Sequence, residues 1–295
     1  MSETVLKNGF YPALGTPTTP TGTLVKDSFN NQIELMIEAG AKGVLCMGSM
    51  GRMATIQDRV YPEVAKQCSI VVGKRVPVMI GVMDCSVSRV LDRIEVLGNI
   101  QIEGVVATAP FYSKADAAEI TNFFKMLAKR SKYPVFIYDL PSVTQSPITL
   151  QIVQTLMEET NIHGIKTANL AMIQEIHRNN MVRENFSVLY SGLDLFDVAL
   201  WSGVSKNLDG MFTCTPRNSK RMYKKMGQDR EATAESLNNI LKLRNVMIKE
   251  NVFSSYSYVM ELIGCPGNYH PDFDIPASEK LKKELLNCMK EIGEI

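Results

Sequence analysis

A chain of 295 residues with 45% hydrophobic and 21% charged side chains and a formal net charge of +1 is balanced for one large or two ordinary compact domains. Its Lys and Arg are scattered among Asp and Glu, so there is no basic stripe to offer nucleic acid or an anionic membrane a footprint. No stretch reaches the roughly 20 apolar residues of a membrane span, and Met1 to Lys7 lacks the basic start and apolar core of a signal peptide, so a cytoplasmic protein is expected.

In chain order, short apolar runs alternate with longer amphipathic ones. Strands are predicted over 11–14, 43–47, 76–82, 104–107, 134–140, 163–167, 186–190 and 208–214. Helices are predicted between and after them, over 29–38, 58–72, 88–97, 117–129, 150–157, 170–178, 195–201 and 218–226. The strands recur every ~20–35 residues, the length of a βα unit, and their continuous apolar character fits strands buried on both faces. Eight such units predict a (β/α)8 TIM barrel over residues 1–228. A doubly wound sheet is the competitor, but it would normally show an early GxGxxG or GxxxxGK[ST] loop, and neither is present. Beyond 228 the strand signals stop, and helices over 230–249, 253–263 and 277–292 predict a C-terminal helical extension spanning 229–295.

The six cysteines include no CxxC pair, and the three histidines, His163, His177 and His270, form no zinc or iron pattern, so metal-free chemistry in a reducing compartment is expected. In a parallel barrel, reactive groups gather at the C-terminal ends of strands. There the chain carries Gly48-Ser49-Met50-Gly51, Pro110-Phe111-Tyr112, Tyr138-Asp139-Leu140-Pro141 and Gly164-Ile165-Lys166-Thr167. Lys166 sits in an otherwise apolar strand, so it either snorkels to water or is desolvated in the barrel, where burial favours the neutral amine that attacks a carbonyl. Tyr138, on the adjacent strand end, is either a core aromatic or a phenol that passes protons. Ser49 offers a hydroxyl for proton relay. The consecutive amides of Gly48 to Gly51 form either a plain tight turn or a nest for a carboxylate.

Taken together, in order and with their spacing, these segments resemble the dihydrodipicolinate synthase/N-acetylneuraminate lyase family of Schiff-base aldolases over nearly the whole chain. The opening Tyr11 to Pro17 is similar to the family's A-L-x-T-P strand. The resemblance implies that Lys166 forms an imine with a pyruvate-type 2-oxo acid, that Tyr138 is the acid/base, and that Ser49 binds carboxylate and relays protons. It also implies that Tyr112 reaches a neighbouring subunit's site, that the enzyme is a homotetramer, and that no cofactor is needed. Gly48, Met50, Gly192, Asp194, Val143, Leu195 and Thr213 become the expected substrate contacts, with Gly210 to Thr213 forming the strand beside the lysine.

The departures bear on specificity. Met50 and Arg52 replace the threonine and glutamate of the G-[ST]-T-G-E loop, and Asp139 replaces an asparagine. Val143 stands where dihydrodipicolinate synthases carry a substrate-binding arginine; Leu195 and Ala168 replace the glutamate and threonine of sialic acid lyases. Arg52 is read either as a hold for an acidic substrate tail or as a solvent-facing loop arginine. Cleavage or condensation next to the imine is the leading expectation. Dehydration or hydration of a 2-oxo sugar acid through the same imine is an alternative, and a binding or sensor protein without turnover is another.

Overall fold

The computed structural model describes residues 6–179, 183–226 and 228–295; the first five residues of the segment read above as leaderless lie outside it. Eight parallel strands form one sheet in the order β1-β8-β7-β6-β5-β4-β3-β2. They are β1 (Gly9–Pro12), β2 (Val44–Cys46), β3 (Val78–Gly81), β4 (Gly104–Thr108), β5 (Val135–Tyr138), β6 (Ile162–Thr167), β7 (Ser187–Tyr190) and β8 (Lys206–Asp209). The two edges meet: the Lys42 N–H donates to the Phe10 carbonyl at 2.9 Å and the Leu14 N–H to the Leu45 carbonyl at 2.9 Å. A barrel therefore forms, with its edge strands joined through loop residues rather than a full ladder.

The helices follow the strands: α1 (Lys26–Ala39), α2 (Tyr61–Val72), α3 (Val87–Val96), α4 (Ala117–Arg130), α5 (Pro141–Thr144), α6 (Leu150–Met157), α7 (Leu170–Arg178), α8 (Phe196–Trp201), α9 (Met211–Cys214) and α10 (Pro216–Tyr223). Their starts are written in the sequence. Asp116 and Glu119 form a reciprocal capping box on α4, and Ser86, Thr149 and Asn169 cap α3, α6 and α7 through their side-chain oxygens. On α4, Ile120, Phe123, Phe124 and Leu127 recur at helical spacing and are buried, while Lys129 and Arg130 close the last turn.

Three more helices, α11 (Arg230–Met247), α12 (Val252–Leu262) and α13 (Glu279–Glu291), follow the last barrel helix. They reach the barrel mouth. Gly15, just after β1, lies so close to Tyr256 and Tyr269 that a Cβ there would come within 2.5 Å of the Tyr256 ring.

Two expectations are corrected. The segment over 208–214 is not one strand: β8 ends at Asp209, whose carboxylate accepts the Met211 N–H at 2.8 Å and turns the chain into the helical turn α9. The apolar run Met211–Cys214 is buried as a turn of helix, which its composition alone does not separate from a buried strand. The residues following β5 also form an extra turn, α5, opened by Pro141.

Gly164 is fixed by packing. Phe136 and Gly164 are register partners, as are Tyr138 and Lys166 two residues on, so both pairs face the same side of the sheet. A Cβ on Gly164 would run into the Ser187 carbonyl oxygen and lie 2.9 Å from Phe136 Cδ1. We expect Gly164→Ala to destabilise the fold by about 1–3 kcal/mol, the usual cost of overpacking, read as a lower urea midpoint. An unchanged midpoint would show that the neighbouring strand can yield.

Candidate active site

The register of three adjacent strands sets the centre of the site. Thr108 of β4, Tyr138 of β5 and Lys166 of β6 lie side by side. Lys166 is 7% exposed and Tyr138 6%. The Lys166 ammonium nitrogen sits 3.5 Å from the centre of the Tyr138 ring. Among the described residues Lys166 makes no ion pair, so the aromatic face is its electrostatic support, worth about 0.5–2 kcal/mol against a cost of several kcal/mol for taking an ion out of water.

Ser49, from the loop after β2, places its Oγ 3.5 Å from Tyr138 Oη. β2 and β5 are not neighbours in the sheet, so this contact crosses the barrel mouth and shows that Tyr138 and Lys166 point into it. The loop that carries Ser49 is a tight turn, with the Arg52 N–H donating to the Ser49 carbonyl at 3.0 Å and the Met53 N–H to the Gly48 carbonyl at 3.3 Å. Among the described residues the amides of Ser49, Met50 and Gly51 donate no hydrogen bond, which leaves them for an anion. The Met50 side chain packs on Gly210 beyond β8, where a Cβ would meet it at 3.1 Å.

Asp139 locks the ends of β5 and β6 together. Its Oδ2 accepts the Thr167 hydroxyl at 2.7 Å, its Oδ1 accepts the Ile148 N–H at 3.1 Å, and its own N–H donates to the Lys166 carbonyl at 2.9 Å. Burial pushes its carboxyl above the usual range, with the two bonds to the carboxylate pulling the other way.

On the far side of the mouth, Asp194 is held by a bidentate pair with Arg244 of α11, at 2.6 and 3.1 Å. That hydrogen bonding holds its carboxyl below the usual range. Gly192 is a packing glycine, because a Cβ would collide with the Tyr190 hydroxyl. Asp209, partly buried at the end of β8, has its carboxyl raised by burial, opposed by the Met211 N–H and by the positive charges of Lys166 and Arg244.

The remaining expected residues are spread out. Thr213 is fully buried, and its hydroxyl is engaged with the Gly210 carbonyl at 2.5 Å and with Tyr256 Oη at 2.6 Å, so it faces the extension rather than open space. Val143, Leu195 and Ala168 are exposed, and Tyr112 stands out at 93% exposure. Arg52 corrects both of its readings. It is 8% exposed, and it turns away from the mouth to donate to Thr16 O, Thr18 Oγ1, Asn268 O and His270 O.

Sequence reasoning missed Arg244 and Asp209. Asp209 carried a signal, a carboxylate inside the segment read as the eighth strand, whereas Arg244 is one charge among many on an amphipathic helix.

The model of the dihydrodipicolinate synthetase family matches residues 7–292. A 4-hydroxy-tetrahydrodipicolinate synthase of Methanococcoides burtonii is 28% identical over 293 residues, covering 97% of this chain and 98% of the relative. A probable 2-dehydro-3-deoxy-D-pentonate aldolase of Escherichia coli, YjhH, is 27% identical over 88% of both chains. The solved structure of YagE from E. coli K12, a family member in complex with pyruvate, superposes with a TM-score of 0.88 at 24% identity over 98% of this chain and 99% of that one. The chain belongs to the dihydrodipicolinate synthetase family, and it is an enzyme of the Schiff-base lyase and aldolase class.

Asp139 yields a pH-dependent prediction. A carboxyl raised on folding binds its proton more tightly in the folded state. Its contribution to stability is therefore largest below its unfolded value of about 3.9 and is lost as pH rises through the folded one. Asp139→Asn keeps an acceptor for Ile148 and can still pair with Thr167. It should be at least as stable as wild type at about pH 7, with the difference shrinking toward about pH 4. A variant that loses stability relative to wild type as pH rises would contradict the burial cost.

Proposed function

We propose that this chain holds pyruvate or a close 2-oxo acid as an imine on Lys166 and makes or breaks a carbon–carbon bond at the adjacent carbon. The observation that carries the reading is the buried Lys166 amine lying 3.5 Å from the centre of the Tyr138 ring, with Tyr138 Oη in turn 3.5 Å from Ser49 Oγ. A nucleophile already stripped of water meets a carbonyl without further desolvation. Attack of the neutral amine on the C2 carbonyl gives a carbinolamine. Loss of its hydroxyl as water, with a proton supplied through Tyr138, leaves the iminium. The iminium accepts the electron pair of the breaking C–C bond, and the same phenol returns or removes the accompanying proton. The free amides of Ser49 and Met50 suit the substrate carboxylate, a contact that needs no side chain at position 50.

The rim supports a restricted choice of partner. Val143 and Leu195 are exposed there without any hydrogen-bonding group, and Asp194 is already committed to Arg244. A substrate carrying a second carboxylate or a long polyol gains little at these positions. Dihydrodipicolinate synthesis and sialic acid cleavage are therefore poor candidates, and a smaller 2-oxo acid fits better. Tyr112, projecting from the loop after β4, supports an assembly in which each site borrows a side chain across an interface, a homotetramer as the family resemblance implies. No helix among the described residues is long and apolar enough to cross a membrane, which is consistent with a cytoplasmic enzyme.

The test is Tyr138→Phe. We expect borohydride to trap pyruvate on this variant still, while turnover falls by about 10²–10⁴, the range for a lost general acid/base. Unchanged turnover would remove the phenol from the mechanism.

A further inference from the structure

The loop that offers its amides to the substrate carboxylate is continued by a residue in an unusual backbone state. Arg52 has φ 57°, in the left-handed region where a side chain costs roughly 1 kcal/mol or more. Something must hold it there, and the side chain shows what does. The guanidinium is buried among oxygen atoms of three segments. Nη1 donates to the His270 carbonyl at 2.5 Å, and Nη2 reaches Thr18 Oγ1 at 3.0 Å, the Thr16 carbonyl at 3.3 Å and the Asn268 carbonyl at 3.4 Å.

Among the described residues no carboxylate lies within ion-pair distance of it. Burial pushes the guanidinium below its usual range, and the more distant Asp272 and Asp274 oppose that push. The two segments it joins are also bound to each other, by Thr18 and Asn268 exchanging backbone hydrogen bonds at 2.9 Å each way. Thr16 completes the clasp, its hydroxyl donating to the Gly51 carbonyl at 2.9 Å. The carbonyl that ends the anion loop and the arginine that follows it are thus both fastened to the 16–18 strap, and the strap is fastened to the connection between α12 and α13.

We propose that Arg52 is a positioning residue for the carboxylate-binding amides, making affinity for the 2-oxo acid depend on the C-terminal extension; this rests on the reading of the Gly48–Gly51 loop given above. Amides converge on an anion only while successive backbone dihedrals are held. Releasing Arg52 lets the residue relax from its left-handed conformation and turns the preceding peptide groups out of line. The chemistry on Lys166 is untouched by this change, so the effect falls on saturation and not on the imine-forming step.

The experiment follows borohydride-trapped pyruvate mass against pyruvate concentration in the full chain, for wild type, Arg52→Gln, Arg52→Lys and Thr18→Val. Arg52→Gln should raise the half-saturating pyruvate concentration by about tenfold, comparable to losing one or two charge-assisted hydrogen bonds at the site, while the labelled residue and the maximum trapped fraction stay those of wild type. Arg52→Lys, which keeps the charge and some of the donors, should recover part of that loss. Thr18→Val, which removes one acceptor of Nη2, should shift saturation the same way by less, and it decides the matter if Arg52→Gln does not fold. A folded Arg52→Gln with wild-type half-saturation overturns the inference, as does an unshifted Thr18→Val should Arg52→Gln be insoluble. Absence of trapping at Lys166 in wild type would sink the imine reading and this inference with it, whereas wild-type trapping with unshifted variants sinks only the role of Arg52.

Discussion

Holding an amine out of water without an ion pair among the described residues is the constraint around which this barrel is arranged. Lys166 is buried against the face of Tyr138, and the attraction between a cation and an aromatic ring offsets only part of the desolvation cost. The fold must supply the rest through packing that leaves the side chain no other place. Gly164 makes room for Phe136 below the pair, and the register of β5 with β6 sets the amine over the phenol ring. Asp139 and Thr167 bolt the two strand ends together one residue further on. A slip of one residue in that register would put the two side chains on opposite faces of the sheet.

The mouth above this pair is built jointly by the barrel and by the helices that follow it. Arg244 of α11 fixes Asp194, Tyr256 of α12 occupies the hydroxyl of Thr213, and the carbonyls of Asn268 and His270 receive Arg52. Each of these links takes a polar group that sequence reasoning would assign to substrate and uses it to hold a loop. Among the described residues the groups left over include the Lys166 amine, the Tyr138 and Ser49 hydroxyls, the turn amides and the unpartnered Thr108 hydroxyl. That sparse set matches a small 2-oxo acid, for which one carboxylate and one carbonyl are the features to be recognised.

Most of the architecture was legible in the sequence because buried parallel strands and amphipathic helices leave different periodicities. The helices over 150–157 and 170–178 coincide with α6 and α7 residue for residue. What failed was the end of the last strand. Asp209 ends β8 by turning its carboxylate onto the Met211 N–H, and Met211–Cys214 are apolar enough to pass for more strand. At the site, Lys166 and Tyr138 stood out only as part of a set with Ser49 and Tyr112, because a lysine in an apolar run or a tyrosine at a strand end is by itself as well explained by snorkelling or core packing. The roles of Arg52, Thr213 and Arg244 were not legible. Apart from the Gly210 carbonyl beside Thr213, the partners named for them lie between 34 and 218 residues away in the chain, and no local pattern announces a contact of that range.

The most direct measurement is the position of the covalent adduct. The protein is incubated with 2-¹³C-pyruvate and borohydride, digested, and the peptides are weighed. The account predicts a reduced pyruvyl adduct on the peptide containing Lys166 and its complete absence from Lys166→Ala, with the variant's fold intact by circular dichroism. An adduct on another lysine, or equal labelling of folded Lys166→Ala, would contradict it.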